Sequence, residues 1–464
     1  MAIDAPQPSS QPDQAEAPAA GPAAATTPAA NGPVHRRVLA CVTWMAVLIV
    51  VMVGKVAEWV PGLGSIPLAK IAFLIVAVSA YLNRDALAAV RVRSLSIARP
   101  AIAFMILAIV SVIYSIYKSN TLITSELIVI LLLSITLLLK ITQTPRDFER
   151  ILTGHAAAGA SLTLGLLLSY HGGRADINDN FDPNDIAYAL DTLLPIVLAL
   201  RHRQSRLGTL LMSALAVMMV VAVVLTGSRG GAIGLIIVTV AVIAFPLSRD
   251  RGGALRTFSL GRTLLRCALL LAVFAAAWGY LPTATQQRMA TLLDLGSDYN
   301  ADPTLNASRT VIWRRDVDLA LQRPIGYGLG SAERVDGLNG GQYRTAHNSL
   351  VEAFVELGAP GLILYLYVYF TCWKHLARVV TGAQVPGASE QRVKAGLYAR
   401  ALRTALAGNL GAGFFLSNAY SPVLWMTVAT AAALVRITTA ESGTVASVAP
   451  PAGAPQTSSV GERT

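Results

Sequence analysis

Long uncharged apolar runs recur along this chain and limit what it can become. The stretch 207–226 carries no charged side chain across 20 positions. As a helix, a run of that length spans the hydrocarbon core of a bilayer, about 30 Å. Inside lipid only helices and closed barrels satisfy their own backbone polar groups. A barrel would show alternating segments of about ten residues, and these runs do not alternate. Charged residues make up 14% of the chain and hydrophobic ones 54%, against about 25% charged in a soluble domain. The sequence therefore predicts an all-α polytopic membrane protein.

About twelve spans are expected from the rule of roughly twenty apolar residues each. They lie near 38–54, 66–82, 100–117, 121–141, 150–170, 186–200, 207–226, 230–247, 263–281, 350–372, 396–416 and 421–438. Five regions follow. Residues 1–34 are Ala-, Pro- and Ser-rich and read as a disordered tail. Residues 35–281 hold spans one to nine, 282–346 a long polar loop with short helices, 347–438 the last three spans, and 439–464 a second disordered tail.

Loop charge orients the spans. With the N-terminus inside, inner segments collect Arg84, Arg91, Arg93 and Arg99, then Arg201, Arg203 and Arg206, then Arg249, Arg251, Arg256 and Arg262. The short outer loops hold only Lys55, Lys118, Arg174 and Arg229. This is the positive-inside pattern of an inner membrane, with both termini cytoplasmic. It accounts for the net charge of +11 without nucleic acid. The three cysteines, Cys41, Cys267 and Cys372, lie in apolar runs and form no C-x-x-C pair, so neither a disulfide framework nor a metal cluster is indicated.

The polar chemistry then gathers on the outer face. His347 opens a helix in which Asn348, Glu352 and Glu356 recur every fourth residue and share one stripe. Two carboxyls on a membrane helix need a reason, either satisfied helix packing or a site headed by His347. A histidine there suits a helix cap or a general base. With Asn409 on a later span, Glu352 and Glu356 are expected to line a cavity. Arg229 sits in the turn Thr226-Gly-Ser-Arg-Gly-Gly231. It reads either as an interfacial arginine or as an anion site beside exposed backbone N–H groups.

In the long loop, 286–295 reads as a short helix, and Ser308 can cap another bearing Arg309, Trp313 and Val317 on one face. That helix should stop near Arg323-Pro324. The following Pro324-Ile-Gly-Tyr-Gly-Leu-Gly330 is too glycine-rich for a regular element, and its glycines permit close approach to a ligand. Seven arginines, Arg288 among them, lie between 282 and 346, a distribution suited to a lipid-linked phosphate. The acidic stretch from Asp176 to Asp185 lacks an Asp-x-Asp and reads as a turn and helix cap rather than a metal site. His171 beside two glycines is a weaker candidate for chemistry; His155 and His202 read as structural. No phosphate-loop, G-x-S-x-G or H-E-x-x-H pattern appears, so ATP-driven transport, serine hydrolysis and zinc proteolysis lack support.

Four pieces in order, Ser228-Arg229-Gly230, Ser308-Arg309 to Trp313, Pro324-Ile-Gly326-Tyr-Gly328, and His347-Asn348-Ser349 with Glu356-Leu-Gly358 and Gly361, resemble the O-antigen ligase and polymerase superfamily. The resemblance implies a metal-independent, cofactor-free, inverting glycosyltransferase of the GT-C kind with its site facing the periplasm. The donor would be O-antigen polysaccharide on undecaprenyl diphosphate and the acceptor a hydroxyl of lipid A–core, both presented from membrane lipid. His347 would assist acceptor deprotonation. Arg229 and Arg309 would hold the diphosphate, with Arg288, Asn348, Trp313 and Tyr327 as further substrate contacts. Polymerases and protein O-oligosaccharyltransferases share the pattern, and the short C-terminal tail favours the ligase. A polysaccharide transporter would hold its polar groups near the bilayer midplane instead.

Overall fold

The computed structural model describes residues 33–88, 96–172, 175–177, 182–201, 205–249, 253–281, 283–290, 302, 304–306 and 308–448. Its elements are α1 (Pro33–Val53), α2 (Val56–Trp59), α3 (Leu68–Leu82), α4 (Arg84–Leu87), α5 (Ala98–Val110), α6 (Lys118–Ile141), α7 (Pro145–Leu168), α8 (Pro183–Leu200), α9 (Arg206–Leu225), α10 (Arg229–Ala244), α11 (Leu260–Ala277), α12 (Thr283–Ala290), α13 (Arg309–Gln322), α14 (Ala332–Leu338), α15 (Ser349–Gly382), α16 (Glu390–Gly413) and α17 (Pro422–Val448). The extended pairing among the described residues is a lone bridge between Arg249 and Leu255. Helices fall on every stretch read as a span. Six of them, α6, α7, α8, α9, α15 and the first part of α17, are long and apolar enough to cross a membrane, and α1, α3, α5 and α10 carry shorter apolar stretches.

Helix α8 sits at the centre, packed by α7, α9, α10 and α16. Small residues make the close approaches. A Cβ on Gly154 of α7 would lie 2.9 Å from the Ala46 backbone of α1. Gly234 of α10 and Gly408 of α16 leave similarly little room against α8 and α10. Lipid gives helices no hydrophobic reason to associate, so backbone proximity and interhelical hydrogen bonds carry the packing. Asn409 supplies several such bonds. Its Oδ1 accepts from Tyr188 (3.1 Å) and Tyr369 (2.6 Å), and its Nδ2 donates to Thr192 Oγ1 (3.0 Å). Phe104 stacks on Trp425 and Tyr420, with ring centroids 5.0 and 5.8 Å away.

The span expected at 350–372 is not one rod. Gly358 breaks α15 with φ 67° and ψ −166°, two residues before Pro360. The glycine-rich segment 324–330 docks into that break. Tyr327 N–H donates to the Val355 carbonyl (2.9 Å), Gly328 N–H to the Glu356 carbonyl (2.8 Å), and Ala359 N–H to the Pro324 carbonyl (2.9 Å). The segment continues onto the α5–α6 connection, where Leu329 N–H donates to Ser111 Oγ (2.9 Å) and Thr121 Oγ1 to the Leu329 carbonyl (2.7 Å). The sequence predicted close approach of these glycines to a ligand. They approach α15 and Ser115 instead, because the broken helix leaves carbonyls that need donors.

Other boundaries also differ. The loop helix predicted at 286–295 is α12, which begins at Thr283; positions 291–295 lie outside the described residues. Helix α17 continues to Val448, past the start of the expected tail at 439. Positions 1–32 and 449–464 of the two expected tails lie outside the described residues, as do Arg174 and His202.

Candidate functional site

Helix termini build the site. Between α9 and α10, Gly227 takes φ 58° and Ser228 caps α10 by accepting from Gly231 N–H (3.1 Å), which sets Arg229 as the first helical residue. The next residue, Gly230, lies against the turn after α16, and a Cβ there would stand 3.0 Å from Phe415 Cβ. Helix α12 closes the other side of this turn, with Arg288 Nε donating to the Gly227 carbonyl (3.2 Å).

Ser308 caps α13 by accepting from Val311 N–H, so Arg309 is its first residue. Arg309 Nη1 donates to the Phe415 carbonyl (3.3 Å). One turn on, Trp313 stands edge-on to Phe414, centroids 5.4 Å apart, and donates its indole N–H to the Ala346 carbonyl. That bond fixes the residue before His347.

His347 itself has φ 47°, an unusual backbone for a residue with a side chain. Its Nε2 lies 3.4 Å from Thr345 Oγ1. Burial holds its imidazole down to a pKa of about 4; Arg309 and Arg344 push the same way, and Asp182 opposes them. Asn348 then caps α15, its Oδ1 accepting from Leu350 (2.9 Å) and Val351 (3.3 Å) N–H.

The turn between α16 and α17 ties these termini together. Ser349 Oγ donates to the Leu416 carbonyl (2.7 Å) and accepts from Asn418 N–H (3.0 Å). Asn418 Nδ2 donates to Asp185 Oδ1 (2.8 Å), and Ala419 N–H to Glu352 Oε2 (2.9 Å). Glu356, one turn further, accepts from Ala332 N–H (3.1 Å). The carboxyl stripe of α15 thus faces inward and holds two loops in register. Its acids serve as acceptors for backbone donors that would otherwise be buried without partners.

Of the residues singled out from sequence, Arg229, Arg309, Trp313, His347, Asn348 and Arg288 gather at this one end of the bundle. Tyr327 does not join them. Its hydroxyl donates to the Leu319 carbonyl (3.3 Å) and the Arg323 guanidinium covers its ring at 5.0 Å. Leu319 lies about 15 Å along α13 from Arg309 by helical rise. Asp182 is used as the cap of α8, and His171 is exposed with its Nδ1 2.7 Å from the Ser169 carbonyl. His155 is buried within α7. The sequence reading missed the turn Phe414–Ala419 and the bond that Asp185 makes to it. The available signal was a polar break, Ser417-Asn418, directly after the apolar Phe414-Phe415-Leu416.

The arrangement presents guanidiniums at the starts of two helices, both helix ends contributing partial positive charge. A neutral imidazole stands beside one of them. Guanidiniums so placed can attract an anion, and a neutral imidazole can accept a proton from a hydroxyl.

Residues 214–366 match the family model described as O-antigen ligase. No curated protein matches the chain.

Proposed function

Through residues 214–366 the chain belongs to the O-antigen ligase superfamily, and on that premise we propose that it transfers O-antigen polysaccharide from undecaprenyl diphosphate to a sugar hydroxyl of lipid A–core. The protein acts as a GT-C-like inverting glycosyltransferase of the bacterial inner membrane. It crosses the membrane about twelve times, its termini are cytoplasmic and its site faces the periplasm. One observation supports this most. Arg309 and the helix of Arg229 meet at Phe415, and His347 lies close enough to Arg309 for its proton affinity to be lowered by it.

The chemistry follows from that group. His347 takes the proton of the acceptor hydroxyl, and the oxygen attacks the anomeric carbon from the side opposite the diphosphate. The bond from carbon to phosphate oxygen breaks, and its electron pair leaves with the diphosphate. Arg229 and Arg309, with Arg288 behind the Gly227 turn, meet the charge that develops there. Fixed donors of this kind need no reorganisation during the reaction. The sugar–diphosphate bond supplies the driving force, so ATP is not required.

Arg309 also couples binding to catalysis. It depresses the proton affinity of His347 while the site is empty of anion. A bound diphosphate offsets that charge, so the base strengthens when donor is in place.

Purified protein mixed with lipid-linked O-antigen and lipid A–core tests this reading. Conjugate should form without ATP and be lost in His347→Ala. Elongated lipid-linked glycan instead would make it a polymerase, and glycosylated peptide a protein glycosyltransferase. No transfer to any of the three acceptors would overturn the proposal.

A further inference from the structure

At the opposite end of the bundle, the connection from α10 to α11 forms a recess that the transfer reaction does not use. Ile243, Ala244 and Pro246 are among its lining residues. Arg256, Arg262 and Arg266 converge on it with the hydroxyl-bearing Ser259 and Thr257. The fold anchors the backbone that walls this small, shallow recess. Arg400 of α16 donates to the Arg256 (2.7 Å) and Pro246 (3.3 Å) carbonyls, and Arg256 Nε donates to the Arg249 carbonyl (3.2 Å).

Among the described residues its charge is unbalanced. Arg262 and Arg266 are one helical turn apart, a like-charge spacing that opposes helix formation. Among the described residues no carboxylate lines the recess, and neither arginine has an ion-pair partner. Ser259 does not turn its hydroxyl back to cap α11, unlike Ser205, Ser228, Ser308 and Ser389 at their helices. The surroundings are apolar and outward-facing. Phe245 and Phe258 pair at 5.8 Å while each stays about half exposed, and Leu260, Leu264 and Leu265 are exposed beside them.

We infer that this recess binds the phosphodiester headgroup of an anionic phospholipid, with the acyl chains lying along the exposed leucines of α11. The three guanidiniums supply the charge, Ser259 and Thr257 supply hydroxyl donors, and the phenylalanine pair sits at the level of the glycerol backbone. A soluble anion would gain nothing from the leucines; a zwitterionic lipid would bring its own cation against the arginines. Basic pockets between membrane helices take anionic headgroups on these grounds.

Native mass spectrometry of the full-length protein, released from nanodiscs of phosphatidylglycerol and phosphatidylcholine, tests the site without any glycan. A failure here therefore leaves the transferase reading untouched. The wild type should retain phosphatidylglycerol over phosphatidylcholine. Arg262→Ala/Arg266→Ala should weaken that retention about thirtyfold, the loss expected of two interfacial arginines. Arg262→Lys/Arg266→Lys should keep most of it, and Arg84→Ala, at an exposed arginine outside the recess, should keep all of it. Equal retention of the two lipids, an unchanged affinity in the alanine pair, or displacement of the lipid by millimolar inorganic phosphate would each overturn the assignment.

Discussion

The carbonyl of Pro324 occupies the space where a side chain on Gly358 would begin. Gly358 holds φ 67°, and the neighbouring Ala359 N–H donates to that same carbonyl at 2.9 Å. The break in α15 and the glycine-rich segment of the loop are therefore one joint. It sets the angle at which α13, and Arg309 with it, meets the bundle.

Gly358→Ala should loosen that joint. The new methyl would overlap a backbone oxygen and impose a left-handed backbone on alanine, at a combined cost of about 2–4 kcal/mol. Thermal unfolding in detergent should report a marked drop in midpoint. Gly382→Ala lies on the same helix with open space around it and should be neutral. Equal midpoints for the two variants would mean that the joint accepts a side chain at Gly358.

Arg229→Ala and Arg309→Ala should each lower the transfer rate by about 10²–10³, equivalent to about 3–4 kcal/mol of lost transition-state stabilisation. Arg309→Lys should recover only part, because one ammonium cannot span both the Phe415 carbonyl and a phosphate. Single-turnover rates with saturating donor separate this loss from weaker donor binding. Rates near wild type in both alanine variants would remove the arginines from the chemistry.

Much of this end of the molecule was legible in the sequence. Ser308 announced its helix by cap chemistry, and the proline after Arg323 announced a stop. Those signals are local, so they survive without knowledge of the fold. The joint at Gly358 was not legible, because Gly326 and Gly328 answer to carbonyls of a helix that lies later in the chain. Nor was the role of the Phe414–Ala419 turn. Its importance lies in backbone carbonyls and N–H groups that meet Arg309, Ser349 and Glu352, and backbone atoms leave no residue-specific mark. Tyr327 misled for a related reason: a tyrosine among glycines looks like a ligand contact, yet its hydroxyl completes the end of α13.

Asp316 gives a test of the loop's own core. It is fully buried on α13, and neither carboxyl oxygen has a hydrogen-bond partner. Burial and the nearby Asp336 raise its pKa to about 7, with Arg315 acting against them. The folded protein thus holds this proton to higher pH than the unfolded chain, whose value is 3.8. Stability from this group is fully present below pH 3.8 and is lost as pH rises through 7. Asp316→Asn keeps the shape and cannot ionise. It should match wild type below pH 3.8 and exceed it at pH 8 by about 3–4 kcal/mol in unfolding free energy. A constant difference across that range would show that folding leaves the Asp316 pKa unshifted.

The pH dependence of transfer should carry the mark of Arg309. With its pKa held to about 4, His347 is unprotonated in the free protein at neutral pH, and kcat/KM should show no acid limb from this group until the pH falls well below 6.5. Folding is linked to the same proton. The unfolded chain takes it up below 6.5 and the folded chain only near 4, so stability should fall with pH across that interval. Burial is the larger cause of the shift, and the Arg309 charge the next. Arg309→Gln removes the second cause alone, so the residual activity should show an acid limb displaced upward, towards 6.5 but short of it. NMR titration of His347 labelled in its imidazole ring gives the same quantity without turnover. A titration midpoint unchanged between wild type and Arg309→Gln would mean that the guanidinium and the imidazole do not share a pocket, and the coupling of donor binding to base strength would fall with it.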